Sequence, residues 1–126
     1  MARVIKFEKR SNVIPIDFGD FQLEFVANDD NLSRLDKLQK ELSKESKRLE
    51  SITTEENVSE TLEALKFMAT KAWDESFGEG TFDKIYQFAG QSVTMVINYF
   101  VQTFEGISEE YHEQINADKL KKYIED

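Results

Sequence analysis

Residues 13–26, which read VIPIDFGDFQLEFV, alternate between apolar and polar side chains on both sides of a Gly19-Asp20 pair. Such alternation is typical of a strand with one buried face, and glycine at the first of two turn positions favours a tight hairpin. One face of the predicted hairpin carries Ile14, Ile16, Phe18, Phe21, Leu23 and Phe25. Because an isolated hairpin is marginally stable in water, this face must cover helices of its own chain or meet another chain.

Pro15 restricts where the first strand of this hairpin can lie. Proline has no backbone N–H to donate to a neighbouring strand, so the strand is predicted to lie at the edge of its sheet.

The rest of the chain has helical periodicity. Residues 28–52 repeat leucine at heptad-like spacing, with Asp30 or Asn31 as the predicted cap. Because Glu45 interrupts the repeat, an amphipathic helix on a core is favoured over a coiled coil, which remains an alternative. The next helix, over residues 53–77, is predicted to open with a capping box of Thr53 and Glu56.

Residues 74–90, DESFGEGTFDKIYQFAG, contain three glycines that could hold a phosphate or end helices. A phosphate-binding loop needs a Gly-Lys-Ser/Thr ending after a strand, and the dinucleotide pattern needs a different glycine spacing. Both patterns are missing, so we interpret Gly78, Gly80 and Gly90 as helix boundaries. Thr81 and Ser92 are the predicted caps of the helices that follow.

The C-terminal part of the chain continues with helical periodicity, and a break is predicted near residues 116–118. Together these patterns predict a mainly α fold of about four to five helices with an N-terminal β-hairpin. We expect one domain over residues 1–126, in which residues 1–27 form an extended segment and the hairpin and residues 28–126 form a helical body.

The net charge of −9 is concentrated in the middle of the chain. Residues 53–115 hold twelve acidic and three basic residues, whereas acids and bases cancel in residues 1–52 and in residues 116–126. This surface would repel a nucleic-acid backbone, so we expect no nucleic-acid partner. It either favours a basic protein partner or keeps an apolar-rich body in solution.

Catalytic and metal-binding patterns are weak. The chain has no cysteine, and its single histidine, His112, lies among glutamates, where a surface position is expected. Glu109, His112 and Glu113 form only a faint ligand spacing. We therefore predict no enzyme activity, no cofactor and no metal site. No apolar run is long enough for a signal peptide or a membrane span, which predicts a cytoplasmic protein that does not bind a membrane.

Residues 92–104 form the most apolar helical stretch, with apolar side chains on two faces. Met95 and Tyr99 stand opposite a stripe that includes Val96 and Phe100. Such a helix is central in its core or meets a partner. The predicted residues for partner binding or self-association are Met95, Tyr99, Phe18, Phe21, Leu23 and Phe25. Head-to-tail contacts between such patches would give rings or spirals; the alternative is that Met95 and Tyr99 pack against the first helix.

The motifs Phe18-Gly19-Asp20-Phe21 and Phe77-Gly78-Glu79-Gly80-Thr81, in this order around a charged helix, resemble those of tail assembly chaperones of long-tailed phages and prophages of Gram-positive bacteria. The resemblance extends from about Val13 onward. It implies a non-enzymatic, mainly helical protein that self-associates and binds the tape measure protein while tube subunits polymerise. A longer frameshifted form in such families contacts the tail tube protein. These proteins act in the host cytoplasm and are not expected in the mature virion.

An acidic regulatory or nucleic-acid-mimicking protein that blocks a basic site on its partner is the alternative function. A mimic binds through carboxylates and loses affinity steeply with salt, whereas a chaperone binds through apolar area and depends on salt weakly.

Overall fold

The computed structural model describes the backbone of residues 3–124 and the side chains of residues 3–113 and 115. Its elements in chain order are β1 (Val13–Asp17), β2 (Gln22–Val26), α1 (Asp29–Ile52), α2 (Val58–Phe77), α3 (Thr81–Phe88) and α4 (Val93–Ile124). The predicted mainly helical fold with an N-terminal hairpin is confirmed. The predicted break near residues 116–118 is wrong, because α4 runs through Asn116-Ala117-Asp118 without interruption. This tripeptide contains neither glycine nor proline, the two residues that most disfavour a helix interior.

The hairpin has the predicted antiparallel register. Ile14 pairs with Phe25 and Ile16 with Leu23. The turn places Gly19 at a φ of 85°, a conformation that glycine adopts at little cost. The Asp17 carboxylate accepts a hydrogen bond of 2.8 Å from the Gly19 N–H, which further fixes the turn.

Pro15 lies on the outer edge of the hairpin, as predicted. The Phe18 N–H donates to the Phe21 carbonyl (2.9 Å) and the Ala27 N–H to the Asn12 carbonyl (2.7 Å). Since antiparallel ladders alternate, the even-numbered residues of β1 bond to β2, and the odd-numbered ones direct their backbone groups outward. Pro15 therefore costs the hairpin no hydrogen bond and removes one donor from the open edge.

The apolar face of the hairpin packs on helices of its own chain. Phe25 is 1% exposed, and Ile14 and Leu23 are also buried. The Phe25 ring lies 5.8 Å from the ring of Phe77 at the end of α2. Of the two possibilities that the sequence left open, the apolar face of the hairpin therefore covers helices of its own chain.

Three of the predicted helix caps are wrong, those of α1, α2 and α3. Asn28 caps α1, because its side-chain oxygen accepts from the Asn31 N–H, so the cap lies two residues before the predicted Asp30. Thr53 ends α1 and does not start α2. Asn57 precedes α2 and holds the turn instead, accepting from the Thr54 N–H at 2.6 Å and donating to the Ile52 carbonyl at 2.9 Å.

Asp74 organises the link between α2 and α3. Its carbonyl accepts from the Gly78 N–H (2.9 Å), which ends α2 at the predicted glycine. Its carboxylate accepts from the Phe82 N–H (2.8 Å) in the first turn of α3. Thr81 is not the cap, because it is already helical and its hydroxyl donates to the Gly78 carbonyl. Ser92 does act as predicted, since its hydroxyl oxygen accepts from the Met95 N–H.

Trp73 lies at the centre of the core and is completely buried. Its indole ring is 6.3 Å from the ring of Phe18 on the hairpin and 5.2 Å from that of Phe100 on α4. The indole N–H donates to the Val96 carbonyl at 3.2 Å. One side chain of α2 therefore holds both the hairpin and α4.

Replacing Asp74 by alanine is expected to lower the free energy of unfolding by about 1 kcal/mol, the usual cost of losing a side-chain helix cap. Asp74→Asn retains an acceptor for the Phe82 N–H and should recover most of this loss. Glu75→Ala, at the exposed next position, is the matched control. Urea unfolding followed by Trp73 fluorescence measures all three variants. Equal stability of Asp74→Ala and Glu75→Ala would show that the cap contributes nothing.

Candidate functional site

Four aromatic rings from three parts of the chain meet at the hairpin turn. Phe18 and Phe21 stack at 4.9 Å across the turn. Phe88, at the end of α3, meets Phe18 edge-on at 5.2 Å and Phe21 at 6.0 Å. Tyr99, on α4, lies 5.7 Å from Phe88 and 6.4 Å from Phe18. Edge-on and offset ring pairs at these distances are mutually attractive.

Met95 extends this cluster by one helical turn. It precedes Tyr99 by four residues on α4, so the two side chains lie on the same face of the helix. We call the five residues Phe18, Phe21, Phe88, Met95 and Tyr99 the tip surface.

The side chains of the tip surface pack on the core on one side and are exposed to solvent on the other. Phe88 is 37% exposed and Met95 is 41% exposed, while Phe18, Phe21 and Tyr99 are half-buried. Trp73 supports Phe18 from within the core. The rings are therefore fixed by packing yet still present apolar area to solvent, an arrangement suited to binding an apolar partner with little loss of side-chain freedom.

A groove runs from the tip surface between β1 and α4, with a volume of about 740 Å³. Ile14 and Ile16 line it from the hairpin, and Gly106 and Ile107 line it from α4. Phe18 and Tyr99 close one end, and Glu110 lies toward the other. The groove is about 16 Å long, both from the rise of β1 between Val13 and Phe18 and from that of α4 between Tyr99 and Glu110. We call it the β1–α4 groove.

A second groove, of about 580 Å³, lies where the end of α1 and the starts of α2 and α4 meet. Val58 and Leu62 from α2 line it, and each is 45% exposed. The helical period of residues 53–77 places both on the apolar stripe of α2. They fall outside the core because the stripe is covered only from Leu65 onward, where Ala69, Ala72 and Trp73 are buried.

The structure divides the six predicted partner-binding residues into two groups. It brings Phe18, Phe21 and Tyr99 together, with Met95 beside them. Leu23 and Phe25 instead lie inside the core, at 8% and 1% exposure. They have no apolar area left for a partner while the hairpin is packed.

Met95 is 41% exposed, so it is not a core residue. Tyr99 contacts rings of the hairpin turn and α3 and packs against the core, so the alternative that it faces the first helix stays a prediction.

Phe88 is the member of the tip surface that the sequence did not reveal. The helical period of α3 assigns Phe82, Ile85, Tyr86 and Ala89 to the inner face and leaves Phe88 off it. The available signal in the sequence was that Phe88, next to a predicted helix end, is a phenylalanine that the helical period does not place on the inner face. Its role depends on where the hairpin turn lies, which periodicity does not specify.

Ionisable groups contribute little to the tip surface. The pKa of Glu45 is lowered, mainly by the hydrogen bonds it accepts from Arg48, and this exposed pair lies on α1. His112 is exposed, as predicted. Within the described part of the chain, no group of three or more His, Asp or Glu side chains is arranged to hold a metal ion. None of the described helices combines the length and apolarity that crossing a membrane requires.

Comparisons with protein-family models, curated proteins and solved structures return no match to this chain. The resemblance to tail assembly chaperones therefore rests on the two sequence motifs. In the structure the first motif is the hairpin turn, and the second is the link from α2 to α3. Gly78 in this link has a φ of 114°, which side-chain-bearing residues rarely adopt. Each motif therefore contains a glycine with a positive φ, which gives the motif a structural role that does not depend on its function.

Tyr99→Glu and Met95→Glu should differ sharply in their effect on stability. Tyr99→Glu removes two ring contacts and places a carboxylate among aromatic rings, so we expect a loss of about 2 kcal/mol. Met95→Glu alters an exposed side chain and should change stability by less than about 0.5 kcal/mol. Urea unfolding of both variants checks this difference. Equal losses would mean that Met95 is as buried as Tyr99.

Proposed function

We propose that this protein is a non-enzymatic phage tail assembly chaperone that self-associates and binds the tape measure protein through the tip surface. The observation that carries the proposal is the fixed but partly exposed group of aromatic rings beside Met95. Aromatic residues and methionine are enriched in protein interfaces, because they bury a large apolar area for each immobilised side chain. An apolar helix of the client would lay its side chains against Phe88 and Met95.

The acidic charge of the chain supports the same role. An apolar binding surface promotes aggregation unless the rest of the surface is strongly charged. The excess of acids in residues 53–115 includes Asp83 near the tip surface, in a shallow recess beside Phe21 and Phe88. A client rich in apolar residues would then be held in a complex that remains in solution. The tail tube protein is the second proposed partner, through a longer form of the chain.

Co-expression with the tape measure protein encoded in the same tail gene cluster tests this proposal. The wild-type chain is expected to keep that protein in the soluble fraction and to co-purify with it. Met95→Glu should weaken this binding about tenfold or more, since it sets a charge in an apolar contact. Leu62→Glu, a similarly exposed position in the second groove, should leave it unchanged.

Salt separates this function from the alternative of an acidic mimic. Raising NaCl from about 0.1 M to about 1 M shortens the screening length roughly threefold, which weakens charge-driven contacts and spares apolar ones. We expect the complex to persist at high salt. Loss of the complex at high salt together with unaltered binding by Met95→Glu would favour the mimic and contradict the chaperone.

A further inference from the structure

We propose that the N-terminal arm, residues 3–10, docks into the β1–α4 groove of a second copy of this chain. This inference specifies the self-association within the proposed function and rests on it.

The arm has the composition of a docking segment. It forms neither helix nor strand, and three large apolar side chains are strongly exposed within it: Val4 at 79%, Ile5 at 77% and Phe7 at 91%. Three such side chains within four residues are an apolar patch that gains stability from being covered. In an extended chain Ile5 and Phe7 point to the same side, so both could enter one groove.

The groove matches the arm in size. Six extended residues, such as residues 3–8, span about 16 Å, which equals the length of the groove. The volume of about 740 Å³ lies within the range of clefts that bind small ligands. Val13 is 39% exposed and Ile16 is half-buried, so both provide apolar wall area, whereas Ile14 and Ile107 are buried. Gly106 leaves space where another residue would place a side chain.

The charges of the two surfaces are complementary. Besides Arg10, which already has a partner in the chain, the arm carries Arg3, Lys6 and Lys9 against the single acid Glu8. Asp17 lines the groove, as does Glu110, which also already has a partner, and among the described residues that line it none is basic. Glu113 continues the acidic rim one turn further along the same face of α4. Opposite charges at the rim set the orientation of a partner and speed its association.

The direction of the chain favours a second copy over the arm's own groove. The Ala27 N–H donates a hydrogen bond to the Asn12 carbonyl, and the Ser11 hydroxyl accepts one from the Val13 N–H at 3.3 Å. These bonds keep the chain in line with β1, which runs toward the tip surface. The arm therefore leaves the domain at the opposite end of the groove, and filling its own groove would require a sharp reversal through residues that hold the strand straight.

Pro15 determines how the arm would be held. The open edge of β1 lacks a donor at Pro15, and the Val13 N–H is already bonded to Ser11. A neighbouring strand would find few backbone donors there. The arm would be bound through its apolar side chains and charges, and this mode leaves the sheet two-stranded.

Three full-length variants test the inference by light scattering over a wide range of protein concentration. Val4→Ser/Ile5→Ser/Phe7→Ser removes the apolar side chains of the arm. Gly106→Leu fills the groove, and it should not destabilise the monomer, because a Cβ there meets no atom within 4 Å and leucine favours a helix more than glycine does. Phe67→Ser, at a 72% exposed position on α2, is the control.

We expect the mass of the wild type and of Phe67→Ser to rise with concentration. The arm variant and Gly106→Leu should both associate at least about tenfold more weakly, with unchanged melting temperatures. Loss of association in only one of these two variants would overturn the docking of arm in groove.

Two other outcomes separate this inference from the proposed function. If both variants associate like the wild type, the inference fails and self-association stands. If the wild type is monomeric at every concentration, self-association fails as well, whereas binding to the tape measure protein is judged by co-expression. A monomeric wild type that co-sediments with anionic lipid vesicles through its arm would assign the arm to membranes and overturn the inference.

Discussion

Trp73 on α2 is completely buried, and its indole touches aromatic rings from the hairpin and from α4 while its N–H binds the Val96 carbonyl. A two-stranded hairpin does not persist alone in water, so its position depends on this contact and on the packing of Phe25 against Phe77. Because the hairpin is held there, its turn lies beside the end of α3 and the start of α4. The tip surface and the β1–α4 groove both follow from that placement.

Features that arise from local sequence patterns were predictable. The alternation in residues 13–26 set the register of the hairpin, and the glycine at position 78 set the end of α2, since both depend on neighbouring residues. Caps were less predictable, because several side chains near a helix start compete for the same N–H groups. Asn28 rather than Asp30 caps α1, and the carboxylate of Asp74, eight residues away, binds the first turn of α3.

The candidate site could be predicted only in part, for a related reason. Sequence periodicity identifies apolar side chains but does not state which of them another element covers. Leu23 and Phe25 belong to the same apolar face as Phe18 and Phe21, yet the helices bury the first pair and leave the second at the rim. Phe88 joins them through a contact between elements about seventy residues apart in the chain, which no local pattern records.

The surfaces that remain open fall into a consistent arrangement. Most of the apolar face of the hairpin packs on the core, and the remaining part is exposed in the tip surface. The groove beside the tip surface is apolar, with acidic residues along its length. Pro15 removes one donor from the open edge of β1, which weakens edge-to-edge pairing and favours contacts through side chains at this side. Such surfaces favour the binding of apolar segments through side chains over the pairing of unrelated strands with the edge of β1.

The central claim is that the hairpin is part of the monomer core. Amide hydrogen exchange at low protein concentration tests it most directly, through the N–H groups of Ile16, Leu23 and Phe25, which the ladder assigns to bonds between the strands. The account predicts that these amides exchange as slowly as those around Trp73 in α2, because they open only with global unfolding. Fast exchange of the hairpin amides while those of α2 and α4 stay protected would contradict it. This result would mean that the hairpin detaches from the monomer core and can pack on another chain.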